Sequence, residues 1–175
     1  MSNAAIGRFF LFILLIALQV TLFDRIHLFG YATPLLYIYF IIKLPGNMNR
    51  NRVLLLSAIL GLCVDAFNYT LGVNMLACVT IGFCRNFFLE WLAPRDLFQE
   101  YTPSIRLFGM GPFLRYTLIM TTLHHIVLFI SESLSFFDLL ALIFRVTGSV
   151  ILTILLIFAC ESINFGVSKS EDRKL

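Results

Sequence analysis

Residues 53–92 read VLLLSAILGLCVDAFNYTLGVNMLACVTIGFCRNFFLEWL. Two apolar runs, Val53 to Ala66 and Leu71 to Leu92, flank a short polar break. Neither run alternates apolar and polar residues as a half-buried strand does. A helix needs about 20 mostly apolar residues to cross a hydrocarbon core of about 30 Å. The hairpin therefore reads as two membrane helices joined by a tight turn, and it sets the fold class for the rest of the chain.

The same pattern recurs on either side. Apolar runs extend from Ile6 to Phe23, from Thr33 to Leu44, from Phe113 to Ile130 and from Phe137 to Cys160. Of the 175 residues, 59% are hydrophobic and 13% charged, against about 25% charged in ordinary soluble domains. The mean hydropathy is +0.91. The expectation is an all-α integral membrane protein of about six transmembrane helices. One domain covers residues 1–167, and a short polar cytoplasmic tail covers residues 168–175. The runs ending at Leu44 and Ala66 are short, about 20 Å at the helical rise. Either their ends extend into the polar flanks or the pair forms a partly buried hairpin. Arg8 before the first run resembles a signal-peptide start, but no small-x-small cleavage pattern follows and the run stops at Asp24-Arg25. It reads as a retained helix.

Charge sets the expected orientation. Arg8, Lys43, Arg50, Arg52, Arg95, Arg106, Arg115, Lys169, Arg173 and Lys174 fall on one side of a six-helix arrangement, and only Arg25 on the other. The positive-inside rule then places both termini in the cytoplasm. Trp91, Tyr31 and Tyr69 fall at the expected boundaries. The longest connection, residues 93–112, carries Leu97, Tyr101 and Ile105 at four-residue spacing. That spacing suits a short interfacial helix, which Pro103 would break.

Among the ionisable residues within the runs or at their ends, five are candidates for a functional role: Asp65, Arg85, His124, His125 and Arg145. Such groups are costly in a bilayer and mark functional sites by default. By the helical rise, Arg145 sits about 12 Å and His124 about 10 Å below the external face. With Asp65, Asn68 and Asn74 they form a candidate pocket or partner-binding cluster in the outer half. The competing reading is a buried Arg–Asp pair that simply holds helices together, and Asp65 or Glu132 can supply the negative partner for Arg145. Arg85 lies in the cytoplasmic half. Glu90 is five residues on, too far round the helix for a good pair. Adjacent His124 and His125 point about 100° apart, so only one can face a given interior. They lack metal-site spacing, and no chain of carboxylates continues inward for a proton relay.

Cys63, Cys78, Cys84 and Cys160 make no C-x-x-C pair and read as small hydrophobes. No metal, cofactor or phosphate-loop motif is present, no nucleophile elbow occurs, and the scattered basic residues do not suggest nucleic-acid binding. The expectation is a protein that is not an enzyme and needs no cofactor. Asn68-Tyr69-Thr70 fits a glycosylation sequon, but it lies in a very short turn against the membrane.

The most distinctive segment runs Gly61-Leu62-Cys63-Val64-Asp65 and then Leu71-Gly72-Val73-Asn74-Met75-Leu76. This G-L-x-x-D … L-G-x-x-x-L pattern resembles that of the rod shape-determining MreD family. Asn68-Tyr69-Thr70 stands where that family carries a Gly- or Pro-bearing turn. Asp65 can accept backbone N–H bonds in the turn, and Gly72 permits a sharp change of direction. The resemblance implies a non-enzymatic role in the bacterial cell-wall elongation machinery. MreC is then the partner, with MreB, RodA and RodA's transpeptidase partner associated. It also implies a six-helix fold similar to the substrate-binding subunits of energy-coupling-factor vitamin transporters. Such a subunit is the alternative reading. That reading expects a small-residue docking face in the first helix, where this chain is bulky from Phe9 to Ile16.

Overall fold

The computed structural model describes residues 3–23, 32–92, 101–132 and 139–171. Their helices are α1 (Asn3–Thr21), α2 (Ile38–Ile42), α3 (Arg50–Asn68), α4 (Val73–Leu92), α5 (Ile105–Phe108), α6 (Met110–Glu132) and α7 (Leu139–Glu171). Arg25, Tyr31, Arg95, Leu97, Phe137, Arg173 and Lys174, which figured in the topology and boundary expectations, lie outside the described residues.

Helix α3 resolves one of the two short runs. The Asn49 side chain accepts the Asn51 N–H at 3.0 Å and starts the helix ahead of the apolar run. The helix then reaches Asn68, giving 19 residues. The ends thus extend into the polar flanks. Four helical segments are long and apolar enough to cross a membrane: Arg50–Asn68, Val73–Leu92, Met110–Glu132 and Leu142–Ile163 within α7. In α1 the apolar stretch is shorter, Ala5–Thr21. Leu55, Leu62, Phe83 and Phe87 point outward from α3 and α4, as lipid-facing side chains do. Helix α7 continues through the first residues of the expected tail to Glu171.

The run from Thr33 to Leu44 departs from expectation. It is not one helix: residues 33–35 have no regular secondary structure, a turn follows, and α2 has only five residues. Pro34 disfavours helical geometry at Thr33, and the segment has no need of a lipid-facing side. Tyr37, Ile38, Ile41 and Ile42 are each 0% exposed. Helix α2 touches α1, α3, α4 and α6, while α3 packs on α4, α4 on α6, and α6 on α7. The broken segment is thus sheathed by the longer helices.

A broken helix leaves backbone groups without intrahelical partners, and in a membrane interior these must be satisfied by protein. Side chains do so here. Ser149 and Thr153 of α7 accept the N–H groups of Thr33 and Leu35, each at 3.0 Å. Gln19 of α1 accepts from the Leu36 N–H at 2.9 Å and donates to the Pro34 carbonyl at 3.1 Å. At the other end Arg85 of α4 donates to the carbonyls of Ile41 (3.1 Å), Pro45 (3.2 Å) and Leu44. The Glu161 carboxylate accepts from Tyr39 Oη at 2.8 Å, Lys43 Nζ at 3.1 Å and the Ile105 N–H at 3.2 Å.

The expected interfacial helix is displaced past Pro103. Ser104 caps α5, its Oγ accepting the Leu107 N–H at 3.3 Å. Tyr101, ahead of the proline, accepts the Gly46 N–H on its carbonyl at 2.8 Å and packs its ring 5.9 Å from that of Phe108. Burial raises the Tyr101 phenol above its usual pKa, against the lowering pull of Arg85.

Candidate functional site

Asp65 ties the two helices of the hairpin together. Its carboxylate accepts from the Asn74 N–H (3.1 Å), Asn74 Nδ2 (2.9 Å), the Met75 N–H (2.9 Å) and the Thr70 hydroxyl. These backbone groups belong to the first turn of α4, which has no intrahelical acceptor for them and favours negative charge. The Asp65 carbonyl meanwhile accepts from Tyr69 and Thr70 and closes α3. Gly72 adopts φ +80° and passes its carbonyl to the Leu76 N–H at 2.9 Å. Gly61 lets the helices approach closely, since a Cβ there would overlap the Met75 backbone. The turn contains Tyr69 at φ +54°, the one non-glycine residue with positive φ among the described residues.

A hydrogen-bond chain runs inward from this turn. Asn74 spends its amide hydrogens on Asp65 and Thr70, so its Oδ1 accepts the Tyr37 hydroxyl at 2.8 Å. Tyr37 Oη lies 3.2 Å from His124 Nε2. With its proton directed to Asn74, that oxygen accepts, and His124 carries its hydrogen on Nε2. His124 Nδ1 then holds a bare lone pair, and it has no partner among the described residues. His125 is the opposite tautomer. Its Nδ1 faces the Thr121 carbonyl at 2.8 Å and must donate, and its Nε2 lies 3.4 Å from the Thr153 hydroxyl.

Both histidines are fully buried, and each faces a different interior, as the expected divergence of neighbouring side chains requires. Helix α6 lies between α4 and α7, so directions about 100° apart both meet protein. His124 faces Tyr37 and Cys78, and His125 faces Thr153 and Phe129.

Arg145 pairs with Glu132 at 3.2 Å and lies over the Phe129 ring, 4.5 Å from its centre. Asp65 is not its partner, because the hairpin's own donors occupy that carboxylate. Asn68, Asn74 and Arg145 line one cleft of about 240 Å³ with Thr33, Thr70, Glu132 and the apolar Leu35, Leu128 and Phe129. Of the five expected pocket residues, three share this cleft. Asp65 and His124 stand behind it, joined through Asn74 and Tyr37. Arg85 is remote from it, holding the carbonyls at the end of α2. No group of three or more metal-ligating side chains occurs among the described residues.

Sequence reasoning missed Tyr37, Gln19, Ser149, Thr153 and Glu161. Two signals were available. Gln19 interrupts an apolar stretch, and Ser149 and Thr153 share one face of α7 at a spacing of four. Glu161 escaped notice because the last apolar run was ended at Cys160.

The helices and the buried polar frame define a helical protein with four segments able to cross a membrane and a polar cleft at one end of the bundle. No family model, curated protein or solved structure matches the chain.

Proposed function

We propose that this chain is a non-enzymatic membrane component of the bacterial cell-wall elongation machinery, of the MreD type. It acts in the inner membrane, with both termini cytoplasmic, through a complex with MreC. MreB, RodA and its transpeptidase partner associate with that complex. The observation that carries the reading is the hairpin. Gly61, Asp65, Leu71 and Gly72 are the residues of the MreD-like pattern, and three have a physical task. Gly61 permits close helix approach, Asp65 caps both helices, and Gly72 turns the chain. Engagement of the buried carboxylates Asp65 and Glu161 in helix-end and segment contacts also favours a structural role over a catalytic one.

Co-purification from detergent-solubilised native membranes tests the reading, with the bound proteins identified. Recovery of an MreC-type single-span protein in near-equal amount is expected. Recovery of an ATPase pair instead would overturn it in favour of a vitamin-transporter subunit, and the cleft would become the substrate site.

A further inference from the structure

The cleft beside Arg145 has one cation and one carboxylate in its lining. Arg145 and Glu132 meet at 3.2 Å, yet their side chains remain 42% and 32% exposed. A pair so exposed contributes little to stability and opens readily. Glu132 contacts the guanidinium through Nη2 and Phe129 covers part of it, which leaves other N–H donors of the fork available. The exposed Asn68 amide, at the end of α3, lines the same space. A purely anionic ligand would meet repulsion from Glu132, and a purely cationic one would meet Arg145.

Depth argues for a ligand at the lipid surface. Helix α7 begins at Leu139 and α6 ends at Glu132. Arg145 is therefore about 9 Å along α7 from its start, a distance over which a long cationic side chain reaches the head-group layer. Leu35, Leu128 and Phe129 give the cleft an apolar wall.

We infer that this cleft binds a zwitterionic phosphate head group of the phosphoethanolamine class, with phosphate on Arg145 and Asn68 and ammonium on Glu132. The cleft is complete within this chain and needs no wall-elongation partner to bind the head group.

The test is native mass spectrometry of the full-length, detergent-solubilised protein titrated with phosphatidylethanolamine or with phosphatidylglycerol of the same acyl chains. Phosphatidylethanolamine is expected to bind more tightly by roughly tenfold, the scale of one added charge-assisted contact. Glu132→Gln should remove that preference, and Arg145→Gln should weaken both lipids. Asn68→Ala alters an exposed amide and should lower phosphatidylethanolamine binding with no change in melting temperature, so the test survives if a charge variant fails to fold. Equal binding of the two lipids to the unaltered protein would overturn the inference, as would a preference untouched by Glu132→Gln. Excess soluble phosphoethanolamine separates the sources. Displacement of the lipid shows that a free solute bearing this group also binds, and retention shows that the acyl chains are required. Either result upholds the recognised group.

Discussion

Arg85 and Arg145 look alike in sequence, each a single cation within an apolar run, but the fold uses them in opposite ways. Arg85 is 0% exposed and spends its guanidinium on the carbonyls of Ile41, Leu44 and Pro45, with the Asn86 side chain nearby at 3.4 Å. Arg145 is partly exposed, meets the Glu132 carboxylate and borders a cleft. The rule that intramembrane charges mark functional sites selects both. What separates them is the acceptor. Backbone carbonyls at the end of a broken helix need a donor for the fold to exist, and an exposed carboxylate does not. Asp65 falls on the Arg85 side of this division, since its oxygens serve the α4 N-terminus.

The largest effect is expected from Arg85→Leu. Three buried carbonyls would lose their donor where no water can replace it, costing about 3–5 kcal/mol. Thermal denaturation in detergent should show a large loss of folded protein. Arg85→Lys should fall between, because a single ammonium cannot span three carbonyls as the planar fork does. A mild effect of Arg85→Leu would break the comparison at its root. Asp65→Ala comes next, at about 2–3 kcal/mol for the lost cap and the stranded N–H donors of Asn74 and Met75. Asp65→Asn should cost less, since one acceptor oxygen remains. If Asp65→Ala left the melting temperature unchanged but abolished ligand binding, Asp65 would move to the Arg145 side.

The readable and unreadable parts of the sequence follow from the same physics. Helices α1, α3, α4, α6 and α7 were legible because each presents an apolar run, although that of α3 is short. The tasks of Asp65 and Gly72 were legible because a carboxylate and a glycine at a turn have few alternatives. The segment from Thr33 to Leu44 was not. A segment buried on every side carries no amphipathic period, so its composition reads as helix. Its actual path depends on Gln19, Arg85, Ser149 and Thr153, distant in sequence. The partner of Arg145 was narrowed to Asp65 or Glu132 but not chosen, because helical rise supplies depth and not direction. The same limit grouped His124 with the cleft, although Tyr37 and Asn74 intervene.

Tyr69 offers a smaller effect in the opposite direction. It sits at φ +54° with 95% of its surface exposed, so its side chain contributes little packing to offset the left-handed backbone. Tyr69→Asn should stabilise the protein by about 0.5–1 kcal/mol, seen as a raised melting midpoint in the same assay. A loss instead would show that the ring is held by something the isolated chain lacks.

Arg145→Gln should have the smallest effect on stability, below about 1 kcal/mol, because both partners of its ion pair are partly exposed. A double-mutant cycle with Glu132→Gln sharpens the point. The coupling between the two side chains should be within about 0.5 kcal/mol of zero in the unliganded protein. A coupling of several kcal/mol would mean that the pair is structural, and Arg145 would join Arg85 as a clamp on the fold. A small coupling leaves both charges free to be redirected, at little cost to the bundle, toward whatever enters the cleft.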